Sequence, residues 1–312
     1  MPRVRLAITA DSHWGLPKCQ PGNLALVEAL RADPPDLLLL GGDQGADSHF
    51  DECLETFGTV GCPVALVPGN HDIWVREADA RGDSLDVYRD HLPNVCRRLG
   101  MHLLDTGPFF LPGHDLAVVG CMNWYDHSWG GPTLVQRFPA EAWRLEAMQF
   151  SRGRHNDRVY VRWPAGLDGF AFTRQGADTL ESHLREALER ASSVVVMTHH
   201  PALPELGFPW LDRQPSGSGE NAVLPDMNHL LWEAFSGNTQ VERLLRTHAD
   251  RLALVISGHT HRWREGALPG GVRLLNVGSD YPVKNLIRME GLTDGFHLQQ
   301  FGEMPANPAG VA

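Results

Sequence analysis

Five short apolar runs punctuate the chain, and each delivers Asp, Asn or His at its far end. The run from Leu6 to Ala10 meets Asp11, Ser12 and His13. The run from Leu37 to Leu40 meets Gly41, Gly42 and Asp43, and that from Val64 to Val67 meets Pro68, Gly69, Asn70, His71 and Asp72. Val194 to Met197 leads into Thr198, His199, His200 and Pro201; Leu252 to Ile256 leads into Ser257, Gly258, His259, Thr260 and His261. An apolar run without a polar break, as at 64–67, suits a strand buried on both faces. Proline and glycine then stop it, so the polar groups fall on loops at the carboxyl ends of strands. Open α/β sheets place their chemistry there.

The stretches between these runs fill in an α/β class. Residues 22–32 carry apolar side chains at helical spacing, with Asn23 as N-cap, between strands at 3–10 and 37–40. Such a unit favours a parallel pair with a right-handed crossover. Helices are expected at 48–60, 83–99 (interrupted at Pro93), 176–191 and 238–248; Asp178 or Thr179 is the expected cap of the third. Further strands are expected at 101–105, 115–121, 272–277, 283–289 and 296–301. Residues 201–222, rich in Pro, Gly and Ser, read as a long loop. Residues 122–172, rich in Trp, Tyr and Arg, read as an irregular insertion beside the site or a satellite core. The chain reads as a single domain over 1–302 that includes this insertion, with a loose tail at 303–312.

Composition narrows the functional classes. The 27 basic and 38 acidic residues leave a net charge of −11, which argues against a dedicated nucleic-acid-binding protein. A phosphate substrate stays open, because bound metal ions invert local charge. Five cysteines, at 19, 53, 62, 96 and 121, include no C-x-x-C and read as reduced thiols of a cytoplasmic protein. The first apolar run is too short for a signal peptide, and no stretch approaches the roughly 20 apolar residues of a membrane helix.

Asp11, His13, Asp43, Asn70, His199, His259 and His261 form a set of donors for metal ions. Mixed imidazole and carboxylate ligands suit Mn, Fe, Co, Ni or Zn better than Mg or Ca. Seven donors exceed the needs of one ion and match two ions that share a carboxylate. Asp11 and His13 stand two residues apart, as do His259 and His261, so in extended chain each pair points one way. His114, His127, His155 and His248 read as ordinary surface or core histidines, and Asn123, Asp126 and His127 as structural. The arginines at 152, 154, 158 and 162 read as a solvated face.

The order Asp-x-His, Gly-Asp, Gly-Asn-His-Asp, His-x-Pro and Gly-His-x-His, complete from residue 11 to 261, resembles the calcineurin-like metallophosphoesterase superfamily. The resemblance implies a four-layer sandwich of two mixed β-sheets flanked by helices. It implies that Asp11, His13 and His261 hold one ion, that Asn70, His199 and His259 hold the other, and that Asp43 bridges them. His199 is preferred to His200 because the family's ligand stands two before the proline, here Pro201. A hydroxide between the ions would attack phosphorus, and His71 would steady a phosphoryl oxygen or protonate the leaving group, with Asp72 orienting it.

The implied substrate is a small-molecule phosphodiester or phosphomonoester. Gly42-Asp43-Gln44-Gly45-Ala46-Asp47 and Asp72 depart from the protein Ser/Thr phosphatase pattern, and His71 departs from the Gly-Asn-Arg-Asp of lipid A precursor hydrolases. Aromatics at 124–129 and Trp210 are candidates for stacking on a base. The alternative is a metal-binding scaffold that kept the fold and lost turnover; the intact His71 favours the enzyme.

Overall fold

A computed structural model describes residues 3–208, 226–292 and 295–303. Trp210, most of the loop expected at 201–222, and the tail from residue 304 lie outside the described residues. The strands are β1 (Arg5–Thr9), β2 (Leu37–Gly41), β3 (Val64–Val67), β4 (His102–Leu103), β5 (Phe109–Phe110), β6 (Leu116–Cys121), β7 (Ser193–Thr198), β8 (Leu254–Ser257), β9 (Arg264–Ala267), β10 (Arg273–Asn276), β11 (Lys284–Glu290) and β12 (Phe296–Phe301). They form two six-stranded sheets, ordered β12-β11-β1-β2-β3-β4 and β5-β6-β7-β8-β10-β9. β1, β2 and β3 run parallel, as do β6, β7 and β8. β11 joins β1 antiparallel and β9 joins β10 antiparallel, so both sheets are mixed.

The helices are α1 (Gln20–Ala32), α2 (Ser48–Gly58), α3 (Ser84–Asp86), α4 (Leu92–Arg98), α5 (Gly131–Arg137), α6 (Trp143–Ala147), α7 (Asp157–Tyr160), α8 (Gly169–Arg190), α9 (Met227–Ala234) and α10 (Thr239–Thr247). α1 and α2 cover the outer face of the first sheet and α8 and α10 that of the second, which gives the expected four-layer α/β sandwich, while α5 and α6 pack on α9. The run Leu37-Leu38-Leu39-Leu40 shows why it forms. Successive strand residues point to opposite faces. Leu37 and Leu39 enter the core between the sheets, with Ile8, Val67, Val118, Met197 and Ile256. Leu38 and Leu40 face α1 and α2, among Leu26, Leu30, Phe50 and Phe57. A third core packs Leu180, Leu184 and Leu245 onto the second sheet.

Several local expectations change. α1 starts at Gln20, so Asn23 is not its cap; the buried Asn23 amide instead donates to the Ser12 carbonyl at 2.8 Å and pins the loop after β1. α8 begins at Gly169 rather than residue 176, because Asp168 caps it by accepting from Ala171 N–H at 2.7 Å. Asp178 and Thr179 therefore lie inside the helix. Pro93 does not stop the helix: α4 continues from α3 through a π-helical turn at Val87–His91, and Pro93 stands in the first turn after it. Segment 122–172 is not irregular throughout but carries α5, α6 and α7, each too short to reveal a period. All five cysteines are free thiols. Among the described residues no helix is long and apolar enough to cross a membrane.

The inter-sheet core sets the stability. Leu39→Ala removes a fully buried side chain there and is expected to cost about 2–5 kcal/mol in chemical denaturation. Leu24→Ala, at a side chain 51% exposed, is expected to fall within about 0.5 kcal/mol of the parent.

Candidate metal centre

The carboxyl ends of β1, β2 and β3 from one sheet meet those of β7 and β8 from the other. Asp11 and His13 follow β1, Asp43 follows β2, Asn70 follows β3, His199 follows β7, and His259 and His261 follow β8. Backbone hydrogen bonds carry the pairing beyond the strands. Asp11 N–H donates to Gly42 O at 2.9 Å, His13 N–H to Asp43 O at 2.8 Å, and Gly258 N–H to His199 O at 3.0 Å. Side chains bridge the sheets as well: Asp11 Oδ1 accepts from His259 N–H at 3.0 Å.

Asp11, His13, Asp43 and His261 present one donor atom each, all within 4.8 Å of one another. His13 Nε2 stands 3.1 Å from His261 Nε2 and 3.7 Å from Asp43 Oδ2, and His261 Nε2 stands 3.7 Å from Asp11 Oδ1. On the other side of Asp43, His199 Nε2 lies 3.3 Å from Oδ1 and 3.1 Å from Asn70 Oδ1. His199 Nδ1–H is free to donate to Gly41 O, 2.9 Å away, which turns Nε2 toward the cluster. The His259 ring completes this group more loosely, 5.2 Å from the His199 ring.

These separations test whether the residues fit metal ions. Donor atoms about 2.1 Å from a common centre stand between about 3.0 and 3.7 Å apart as the angle opens from about 90 to 125°. The five pairs just named, at 3.1 to 3.7 Å, fall in that window. Asp11 Oδ2 and His259 Nε2 are buried without a hydrogen-bond partner, a costly state that a cation relieves. Burial holds His13 and His259 well below the usual histidine range, so their imidazoles are neutral, the form that binds metal. Burial, with the Asp11 carboxylate adding to it, pushes Asp43 well above the usual carboxylate range; a divalent ion reverses that logic.

The backbone is shaped around these side chains. Asp11, His13, Asp43, His259 and His261 all adopt left-handed φ, between 43° and 68°. Non-glycine residues rarely do so outside sites that over-determine them. Two glycines are required by close approach. A Cβ on Gly42 would sit 2.3 Å from His199 Nδ1, and one on Gly69 would sit 2.1 Å from Asp43 Oδ1.

The calcineurin-like phosphoesterase family matches residues 4–263 of the chain. The chain belongs to this family. It is accordingly a metal-dependent phosphoesterase, and the family uses divalent metal ions. Three solved structures share its fold. The phosphopantetheinyl hydrolase of Mycobacterium tuberculosis is 19% identical, covers 90% of this chain and 91% of its own length, and has a TM-score of 0.62. A dimetal phosphatase from Danio rerio is 14% identical, with 97% of both chains covered and a TM-score of 0.55. TT1561 of Thermus thermophilus is 16% identical, with 96% and 99% covered and a TM-score of 0.50. No curated protein matches the chain.

His71 and Asp72, expected together, part company in this phosphoesterase. His71 lines the cavity over the cluster, 3.8 Å from Asp43 Oδ2 through Nε2, and stacks on Trp74 at 3.6 Å. Asp72 does not orient it: its two oxygens accept from the backbone N–H groups of Gly45 at 2.9 Å and Gly69 at 2.7 Å. The carboxylate thereby ties the Asp43 loop to the Asn70 loop. His200 packs its ring 4.2 Å from the His259 ring, with its Nδ1 3.2 Å from the Met122 carbonyl. Asn123 is structural as expected, donating to the carbonyls of His200 and Pro201.

The residues that support the donors escaped the sequence reading. Asp157, buried in the 122–172 segment, accepts from Asn70 Nδ2 at 2.8 Å and Trp74 Nε1 at 2.7 Å through Oδ1, and from the Tyr125 hydroxyl at 2.9 Å through Oδ2. That bond commits the Asn70 amide nitrogen and leaves Oδ1 for the cluster. Lys284 is buried and donates to the Asp11 carbonyl at 2.6 Å. Asn276 donates to the Gly258 carbonyl at 2.9 Å. Asp280 stands 3.8 Å from His261 Nδ1, and that ring holds its carboxyl down at about 2. No short-range pattern marks any of the four.

Asp157→Ala frees the Asn70 amide to turn. An ion held by Asn70 and His199 would be released about 10–100-fold more readily in a chelator titration, as for other residues that orient ligands. A loss confined to the ion beside His13 and His261 would contradict the assignment.

Proposed function

We propose that the chain hydrolyses small-molecule phosphoesters, diester or monoester, at a centre of two divalent transition-metal ions. The single observation that carries this reading is the division of Asp43: Oδ1 faces His199 and Oδ2 faces His13. One carboxylate then serves two ions, with Asp11, His13 and His261 on one side and Asn70, His199 and His259 on the other. When bound, the ions supply the positive charge that polarises the phosphoryl group and lowers the pKa of water toward about 7.

The protein's own residues do the remaining work. His71 reaches the cavity from the rim of the cluster, partly exposed, with its ring fixed against Trp74. Burial keeps the imidazole neutral, well below the usual histidine range. Its N–H is available to a phosphoryl oxygen or to the departing oxygen. The cavity of about 440 Å³ suits a small ligand and not a folded protein segment, which supports the small-molecule reading. Mixed nitrogen and oxygen donors favour Mn, Fe, Co, Ni or Zn. The five free thiols suit a reducing compartment such as the cytoplasm.

The test compares bis(p-nitrophenyl) phosphate with p-nitrophenyl phosphate, using metal-free protein resupplied with each metal in turn. Turnover of either ester that depends on a transition metal is expected, and the faster ester assigns the diester or monoester class. No turnover with any metal, despite two bound ions, would return the chain to a scaffold role. His71→Ala is expected to lower kcat by about 10²–10⁴-fold. A loss below about tenfold would remove His71 from stabilising the phosphoryl or departing oxygen.

A further inference from the structure

The cavity over the metal cluster has a second chemical feature in its wall. Arg152 and Arg154 line it, together with Phe150, His261 and Tyr281. The chain is acidic, at −11, and Arg81, Arg98, Arg144, Arg185, Arg190 and Arg246 each pair with a carboxylate. Among the described residues Arg152 and Arg154 have no carboxylate partner. Both are exposed, and two guanidinium groups without a carboxylate partner at the mouth of this cavity can bind an anion, since the guanidinium fork matches phosphate geometry.

The turn that carries them is braced. Phe150 N–H donates to Gly153 O at 3.0 Å, and Gln149 Nε2 donates to the same carbonyl at 2.7 Å. Arg144 holds the Phe150 carbonyl at 2.9 Å, and Ser151 N–H donates to Asn228 Oδ1 at 2.9 Å. Gly153 takes φ +86°, which closes the turn. A fixed backbone lowers the ordering cost of binding. The same cavity has aromatic walls: Phe150 and Trp232 pack at 4.4 Å, and Phe208 packs on Trp232 at 4.9 Å.

We infer that the substrate carries a second phosphate group, held by Arg152 and Arg154 while the scissile phosphoester lies at the metal cluster, with a flat organic body against the aromatic walls. This rests on the phosphoesterase reading and narrows its substrate class to bisphosphorylated small molecules. The probes are adenosine 3′,5′-bisphosphate and adenosine 5′-monophosphate, mixed with the manganese-loaded full chain. Stopped-flow quenching of tryptophan emission reads binding before turnover, since Trp74 and Trp232 line the cavity. The parent is expected to bind the bisphosphate at least about tenfold more tightly than the monophosphate. Arg152→Gln/Arg154→Gln is expected to bring that ratio toward one. Arg158→Gln, on the same segment but lining the neighbouring cavity, is expected to keep the ratio. The inference is overturned by a ratio of one in the parent, by an unchanged ratio in the double variant, or by an equal collapse in Arg158→Gln. A ratio that behaves as expected while no phosphoester is turned over would instead count against the phosphoesterase reading alone.

Discussion

Asp43 is the point on which the site depends. Its carboxylate is buried where the two sheets converge, and its oxygens face opposite ways, toward His199 and toward His13. Its Oδ1 also accepts from His71 N–H at 2.9 Å, so the same group sets the loop that carries Asn70 and His71. A buried carboxylate near a second one, Asp11, is unstable as an anion without a compensating cation. The architecture therefore makes sense as a frame that concentrates negative and neutral donors until divalent ions are the natural partners.

That concentration requires a chain path that ordinary residues resist. Five of the seven donors sit at left-handed φ, and Gly42 and Gly69 leave no room for a Cβ beside His199 and Asp43. The strain is held by groups outside the donor set. Asn23 fixes the loop between Asp11 and His13, Asp72 clips the β2 and β3 loops, and Asp157 fixes the amide of Asn70. The two sheets provide the rigid base, through a core whose side chains alternate between the inter-sheet space and the outer helices.

The donors were legible in the sequence because each follows an apolar strand, and strand ends are marked by composition. Leu37 to Leu40 announces both the strand and its double burial, and Gly41-Gly42-Asp43 announces the loop. The support was not legible, since it arises from contacts between distant residues. Asp157 lies 87 positions from Asn70, and Lys284 lies 273 from Asp11. Asp72, which the family resemblance implies as the group that orients His71, instead turns its carboxylate back to Gly69 and Gly45. Asn23 resembled a helix cap, but its amide found a carbonyl in the site loop instead. The short helices of 122–172 showed no period, and the arginines that read as a solvated face are exposed, with those at 152 and 154 also bordering the cavity.

Anomalous X-ray scattering from crystals of the manganese-loaded protein decides whether Asp43 joins two metal ions. Two peaks about 3.5–4 Å apart are expected, one on each side of the Asp43 carboxylate. The first would be flanked by Asp11, His13 and His261, the second by Asn70, His199 and His259. A single peak, or two peaks that leave Asp43 outside both coordination shells, would contradict a bridging Asp43.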